Sequence, residues 1–433
     1  MKMSKRQAAG AGIVALVSAA GVAVVGAGGA VASVSANAVQ QPGQTARPST
    51  NFLPPTRKGR APASVKIGLS GGYQVNYLPT EVAMGAGYFK QVAKRFHTTI
   101  TFDPYVAGSA AEAGFVGGVD QFGVIGLSSS LPSEVGGRDQ VSVFGQGVDL
   151  AIEMVGGLKD RANGTDIARF GPPASWCEIG AAGSSNTAAR LEAAKNGLNL
   201  AQLKLTNIGT TSATLPTLQS GQCDITSAAV TDAGNGLING GLYVAANLAT
   251  PEASVPIAGE VAGTPLQTSM AFARQYPQLT QAIIDAELES LHFIQAHLNN
   301  SGAIYRVLPA AMKAILPVGA FAEALTLVGP GFKSNVYSGE FSADQVNDSI
   351  TLFKALGTVA STGIDPTMVF SNKYVAQAYQ DLGLPAPTGA TAGGAVRHTL
   401  GKPSAESASA YALLTGQPAP ASSGPSPLSK IKS

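Results

Sequence analysis

An α/β fold of two similar lobes, each a mainly parallel sheet flanked by helices with a ligand cleft between them, is predicted by three observations. Strand-like and helix-like stretches alternate along residues 63–230, the order that builds parallel βαβ units. That order runs through twice with matching turns. About 320 residues lie between two low-complexity ends, more than one typical domain and enough for two.

The first run opens on Val65-Lys66-Ile67-Gly68-Leu69, a short apolar strand, and turns through Ser70-Gly71-Gly72-Tyr73. Residues 78–89 read as a helix with Gly87 near its end. Thr99-Ile100-Thr101-Phe102 alternates like a second strand, 109–117 is a short helix, and Phe122-Gly123-Val124-Ile125-Gly126 is a third strand. The second run repeats this with a strand over 177–182, a helix over 187–196 and Gly197 at its C′ position. A strand over 203–208, a helix over 212–219 and a strand over 223–230 follow. Tyr105-Val106-Ala107-Gly108 through Gly118-Val119-Asp120 parallels Asn207-Ile208-Gly209-Thr210 through Gly221-Gln222-Cys223-Asp224. Each has a strand end, a small-residue turn, a short helix and an Asp leading into a strand. Loops at the C-terminal strand ends then face a shared cleft. After Pro277 the chain is mostly helical: Ile284, Leu288, Leu291 and Leu298 fall on one face. Further helices are expected over 310–315, 321–327, 343–356 and 372–381. The break Gly383-Leu384-Pro385 ends the core.

Gly180-Ala181-Ala182-Gly183-Ser184-Ser185-Asn186-Thr187 carries the strongest chemical signal. It leaves a strand and opens a helix, where unpaired N–H groups and the helix dipole favour negative charge. Ser184, Ser185 and Thr187 add hydroxyl donors, and Gly183 permits close approach. A small oxyanion suits such a site. The same residues also suit an ordinary serine cap.

The ends speak to compartment. Lys2, Lys5 and Arg6 precede an apolar run over 11–34 that ends in Ala36-Asn37-Ala38. This fits a Sec signal peptide, 1–38, cleaved after Ala38, and a periplasmic or extracellular protein. The alternative is an uncleaved anchor, which the Ala/Gly/Val composition disfavours. No cysteine near the cleavage point permits lipid attachment. Residues 39–62 read as a disordered linker and 385–433 as a disordered Pro/Ala/Ser-rich tail. Net charge is +2 with 12% charged residues, and no basic stripe offers itself to nucleic acid. His97, His292, His297 and His398 show no metal spacing, so no metal site is expected and the histidines read as surface or packing residues. Cys177 and Cys223 are too far apart for a CxxC motif, and in an exported chain two cysteines usually pair.

Residues 177–232 resemble the second lobe of the periplasmic substrate-binding proteins of ABC importers, in the nitrate, sulfonate, taurine, bicarbonate and thiamine-precursor group. The likeness rests on Ile179-Gly180, Gly183-Ser184-Ser185, Asn196-Gly197-Leu198 and Leu218-Gln219-Ser220-Gly221-Gln222-Cys223-Asp224. In the first lobe it rests on Val65-Lys66-Ile67-Gly68, Gly85-Ala86-Gly87-Tyr88-Phe89-Lys90 and Gly118-Val119-Asp120 with Gly126. Tyr276-Pro277-Gln278, Leu356-Gly357 and Asp365-Pro366 fit as well. Each motif is weak alone; their order and spacing across 63–384 are fairly specific.

The resemblance implies a two-lobed type II binding protein. Its first lobe would be built from 63–170 and a helical return segment, 254–384, and its second from 171–253. Such a protein, a monomer without cofactor or catalytic activity, closes around one small ligand and hands it to the transmembrane subunits of a permease. The ligand loops it implies hold Gly71, Gly72, Tyr73 and Tyr77; Ser128 and Ser129; Ser184, Ser185, Asn186 and Thr187; and Thr231 and Asp232. Tyr73 reads equally as packing, and Asp232 equally as a helix cap. Because hydroxyls dominate and no Arg or Lys falls in these loops, a small organic anion such as an aliphatic sulfonate, taurine or a nitrate-like ion is expected.

The chain departs from the family at Cys177, where a basic residue is common, and at Cys223, where Val is common. Both would lie near the starts of neighbouring parallel strands, so a Cys177–Cys223 disulfide away from the cleft is expected. Two other readings remain open. A thiamine-precursor (pyrimidine) binder or enzyme of the same fold is one. A secreted serine hydrolase is the other, since Gly68-Leu69-Ser70-Gly71-Gly72 is formally G-x-S-x-G. That motif, however, sits on the first strand, and its histidine could come only from helix or tail.

Overall fold

Among the described residues ten strands form two five-stranded sheets. The computed structural model describes residues 58–146, 152–180, 184–333, 337–359, 369–385, 387 and 403–419. The stretch expected as a signal peptide, most of the expected linker, Ala181–Gly183, Asp365-Pro366 and the outer tail lie outside the described residues. The first sheet contains β1 (Ser64–Leu69), β2 (Thr99–Pro104), β3 (Phe122–Val124), β4 (Val141–Phe144) and β10 (Leu266–Thr268), in the order β2-β1-β3-β10-β4. The second contains β5 (Ile152–Gly157), β6 (Ser175–Glu178), β7 (Lys204–Asn207), β8 (Ile225–Ala229) and β9 (Leu242–Asn247), in the order β7-β6-β8-β5-β9.

The two sheets share one plan. β1 pairs parallel with β2 and β3, and β6 pairs parallel with β7 and β8. β10 runs antiparallel to both β3 and β4, and β5 antiparallel to both β8 and β9. Each sheet therefore has four strands pointing one way and one reversed, and each reversed strand follows a passage from the other lobe. The mainly parallel α/β architecture is as the sequence predicts. β1 shows why it forms: Val65, Ile67 and Leu69 alternate onto one face and are fully buried, while Lys66 between them is partly exposed.

The first lobe carries α1 (Leu78–Gly85), α2 (Tyr88–Phe96), α3 (Gly108–Val116) and α4 (Leu127–Val135). The second carries α5 (Ser184–Lys195), α6 (Thr214–Gln219), α7 (Val230–Ile238) and α8 (Pro251–Ala258). The return segment adds α9 (Met270–Gln275), α10 (Pro277–His297), α11 (Ser301–Val307), α12 (Ala310–Ile315), α13 (Val318–Lys333), α14 (Ala343–Ala355) and α15 (Lys373–Asp381). α16 (Ala405–Thr415) comes last.

Four expectations need correction. The single helix over 78–89 is two: Gly87, at φ +85°, ends the first and opens α2, which buries Tyr88, Phe89, Val92 and Phe96. Segment 152–170 does not belong to the first lobe, because β5 is hydrogen-bonded between β8 and β9. Nor does the second lobe end at 253: Ile257 and Ala258 of α8 pack in its core with Met154, Trp176 and Ala188. The contiguous stretch 152–258 is thus inserted between β4 and β10. Finally, the tail is not featureless, because α16 forms within it. Its signals are those of any helix: Ser404 as N-cap, accepting from the Ser407 N–H at 3.1 Å, then an Ala-rich run, then Gly416 at φ 69°.

Cys177 and Cys223 are disulfide-bonded, with Cα atoms 5.8 Å apart. Both are fully buried among Val155, Leu218, Ala228 and Leu242. The bridge closes a separation of 46 residues, worth about 4 kcal/mol in the chain-entropy description. The aspartate of each repeated motif is structural. Asp120 accepts from the Tyr105 hydroxyl at 2.7 Å. Asp224 accepts from the Ser175 N–H at 2.7 Å and tethers β8 to the start of β6. Trp176 is buried with its Nε1 donating to the Phe170 carbonyl at 2.7 Å.

Candidate functional site

The C-terminal strand ends of both sheets open onto one cavity of about 410 Å³. The connections that leave β1, β2, β3, β6, β7 and β8 contribute to its wall. After β1 come Ser70, Gly71, Gln74, Asn76 and Tyr77; after β2, Ala107, Gly108 and Ser109; after β3, Gly126, Ser128 and Ser129. From the second lobe come Ile179, Gly180 and Ser185 after β6, Asn207, Gly209 and Thr211 after β7, and Ala229 after β8. Thr264, on the passage into β10, completes the wall.

No lining residue carries a formal charge. What the wall offers instead is hydroxyls, amides and the starts of helices. α3, α4 and α7 begin beside lining residues Ala107, Gly126 and Ala229, and none of these N-caps supplies a capping side chain. Among helices that start away from the cavity, α2, α8, α10, α12 and α15 likewise have no capping side chain, while four others have one. Ser269, Asn300, Ser342 and Ser404 each accept from the first turn of their own helix. The Leu127 N–H is taken by the Gly263 carbonyl and the Val230 N–H by the Asn76 Oδ1. The positive ends of three helix dipoles still lie beside the cavity, an arrangement that suits negative charge without ion pairs.

The narrowest part of the wall is at Gly108. A Cβ there would lie 2.7 Å from the Ser129 hydroxyl oxygen and 3.2 Å from that of Ser70. Glycine is what lets two serine hydroxyls and the first turn of α3 meet. Opposite, the Ser185 hydroxyl accepts from the Ile179 N–H at 3.0 Å and so ties the 179–185 loop together. Having accepted one bond, it still has a proton to donate. Tyr77 donates to the Ser70 carbonyl at 2.5 Å and also to the Gly72 carbonyl, which shapes the first loop. Burial pushes its phenol well above the ordinary range, with Glu81 and Asp232 adding to the effect.

Of the residues expected at a ligand, Gly71, Tyr77, Ser128, Ser129 and Ser185 line the cavity. Ser184 opens α5. Gly72, Tyr73, Asn186, Thr187, Thr231 and Asp232 are not in the wall. Tyr73 packs on the first-lobe core, the bland alternative for that residue. Thr231 joins the lobes: its hydroxyl accepts from the Val75 N–H at 2.8 Å, while the Asn76 Oδ1 accepts from the Val230 N–H at 3.3 Å. Asp232 is not a cap, since Ala229 holds that position. It sits half-buried in the first turn of α7, and desolvation raises its carboxyl to about 7.

Sequence reasoning missed Gln74, Asn76, Ala107, Gly108, Ser109, Asn207, Gly209, Thr211 and Thr264. A signal existed for most of them. Ala107-Gly108 and Asn207 with Gly209 belong to the repeated strand-end turn, and strand ends were expected to face the cleft. Ser70 also lines the cavity, but no histidine does. Among the described residues His292 stands edge-on to Tyr379 and His297 stacks on Phe293. Among the described residues no imidazole lines the pocket beside the G-x-S-x-G serine, and His398 lies outside them.

No family model matches the chain, and no curated protein matches it. Solved structures do. The periplasmic nitrate-binding protein NrtA from Synechocystis PCC 6803 superposes with a TM-score of 0.62 at 12% identity, covering 75% of this chain and 92% of that one. The alkanesulfonate-binding protein SsuA from Xanthomonas axonopodis pv. citri, bound to MOPS, gives 0.55 at 17% identity, covering 73% and 98%. A Candida albicans protein described as having the generic periplasmic binding protein fold gives 0.51 at 12%, covering 76% and 98%. At these identities the likeness establishes the fold: the chain has the two-lobed periplasmic binding protein architecture.

Proposed function

We propose that this chain is an extracytoplasmic solute-binding protein of an ABC importer. It captures a small organic anion, an aliphatic sulfonate, taurine or a nitrate-like ion, and delivers it to the transmembrane subunits of a permease. The observation that carries this reading is the cavity wall: neutral hydroxyl and amide donors, three uncapped helix starts and no formal charge. Such a wall offers donors to oxyanion oxygens while lacking the fixed cation that a multiply charged ion would want. The size suits more than a bare inorganic ion, since ordinary small-molecule pockets begin at about 300 Å³. Two fold neighbours are described as binding nitrate and alkanesulfonate, which supports the class of ligand. The N-terminal basic and apolar stretch supports export, and the role proposed is non-catalytic, monomeric and without a cofactor.

A thermal-shift screen of the chain from Val39 onward tests the reading. Sulfonates, taurine, nitrate, bicarbonate, amines and thiamine precursors are compared. A true ligand at 100 times its Kd stabilises by about 2.7 kcal/mol, a clear rise in midpoint. A rise with sulfonates, taurine or nitrate is expected. A rise confined to amines or pyrimidines, or none with any anion, sinks the anion assignment.

A further inference from the structure

α16 lies outside the two-lobed plan, yet it is anchored at the point where the chain passes back between the lobes. Its N-cap, Ser404, donates from N–H to the Asp348 Oδ1 at 2.9 Å and from its hydroxyl to the Asp348 Oδ2 at 2.7 Å. The same Oδ2 accepts from the Glu260 N–H at 2.9 Å. Asp348 is fully buried in α14. Gly259, at φ +80°, makes the approach possible, because a Cβ there would lie 2.2 Å from the Asp348 Oδ2 and 2.7 Å from the Ser404 hydroxyl. One carboxylate thus holds the crossover segment, α14 and α16 together.

The contacts on either side belong to different lobes. Val346, Ile350 and Phe353 of α14 pack with Leu127 and Leu131 of α4 in the first lobe. Leu352 of α14 and Ala410 of α16 pack in the second-lobe core with Ala188, Ala189 and Ala258. α16 touches α5, α8 and α14. The crossover held by this carboxylate also serves the cavity. The Ala262 N–H donates to the Ser349 hydroxyl at 3.0 Å. The Gly263 carbonyl accepts from the Leu127 N–H at 3.2 Å, at the start of α4, and Thr264 is in the cavity wall.

We propose that α16 is an intramolecular clamp on the pivot between the lobes. Through Ser404 and Asp348 it restrains their relative rotation and positions the Gly263–Thr264 segment beside the α4 ligand loop. A helix wedged against both partners of a hinge removes the freedom the hinge would otherwise have, and its docking free energy adds to the cost of opening. The clamp rests on contacts that stand whatever the ligand is; its effect on affinity follows only if the cavity is the binding site.

The test uses ligand-free protein, so it does not depend on the proposed function. Nitroxides are placed at Val119 and Leu158, which are 49% and 45% exposed, one in each lobe and both at strand ends remote from the cavity. Pulsed electron spin resonance then measures the inter-lobe distance in the full chain, in a chain ending at Lys402, in one ending at Pro418 that keeps α16, and in Ser404→Ala. The expected result is a broadened or shifted distribution for the chain ending at Lys402, a smaller change for Ser404→Ala, and the full-length profile for the chain ending at Pro418. Amide exchange at Glu260 and Ala262 should lose protection in the same order. If the chain ending at Lys402 melts lower but keeps the full-length distance profile, α16 is a stabilising appendage and the clamp is refuted. Should that truncation fail to fold, an unchanged profile in Ser404→Ala refutes it as well.

Discussion

Gly108 is the residue where the cavity tolerates least. A methyl group there would press on the Ser129 hydroxyl at 2.7 Å and crowd that of Ser70 at 3.2 Å. The backbone itself would be untroubled, since Gly108 starts a helix and has no left-handed angle. Gly108→Ala should therefore weaken binding of the anion by about tenfold or more, near 1.4 kcal/mol, while leaving the melting midpoint almost unchanged. Calorimetric titration checks the first part and thermal unfolding the second; undiminished affinity would mean that the anion does not sit at this end of the wall. The position also shows what a sequence conceals. Ser128, Ser129 and Ser185 are visible as donors because their letters say so. A backbone N–H is present at nearly every residue, so the donors at Ala107 and Gly108 carry no letter of their own. They become legible only when a fold turns them toward the same space.

At the scale of elements, the start of α3 at the cavity wall offers a test. Ala107 already has the extended backbone of an N-cap, at φ −156° and ψ 164°, yet no side chain to use it. Ala107→Asp would supply one. The helix should gain about 0.5–1 kcal/mol from the cap and dipole, raising resistance to urea. The same carboxylate would sit in the wall and repel an anion, so binding should fall sharply as stability rises. A variant that gains stability and keeps its affinity would contradict an anion site at α3. The forward strands β1, β2, β3, β6, β7 and β8 could be read from sequence because each is followed by a turn and helix of its own. The reversed strands could not. β10 is three residues with Gln267 at its centre, too short for any period to register. β5 ends in two glycines, which weaken its strand signal. α16 was hidden by composition: an Ala/Ser stretch reads as low complexity until its cap and its C′ glycine are weighed together.

For the whole molecule, burial raises many carboxyls, Glu81 and Glu134 well above their ordinary range, and two more show how stability should depend on pH. Burial raises Asp232 in the second lobe to about 7. Burial also raises Glu287 in the first to about 8, against the lowering effect of bonds from Thr80 and Gln146. In the unfolded chain both ionise near 4. The folded protein thus holds protons that the unfolded chain has released, so stability is fullest below pH 4 as far as these groups are concerned. It declines as pH rises through 7 and 8. Asp232→Asn removes one of the two contributions, up to about 4 kcal/mol at the alkaline end. Urea unfolding at pH 5 and pH 8 should show a large loss for the parent and a smaller one for the variant; equal losses would mean that Asp232 ionises freely in the fold. The two lobes could be foreseen from the doubled strand–helix run. Their boundaries could not, because the chain changes lobe between β4 and β5 without any break in composition.

The insertion of 152–258 between β4 and β10 fixes an order of events during synthesis. A chain leaving the ribosome presents β1 to β4 first, but their sheet has a vacant slot between β3 and β4. The strand that fills it, Leu266–Thr268, emerges more than a hundred residues later. The second lobe, by contrast, holds all five of its strands in one uninterrupted piece and both halves of its disulfide. The lobe begun second is the first whose sheet can be completed, and the lobe begun first must wait with an open seam until the other has been made.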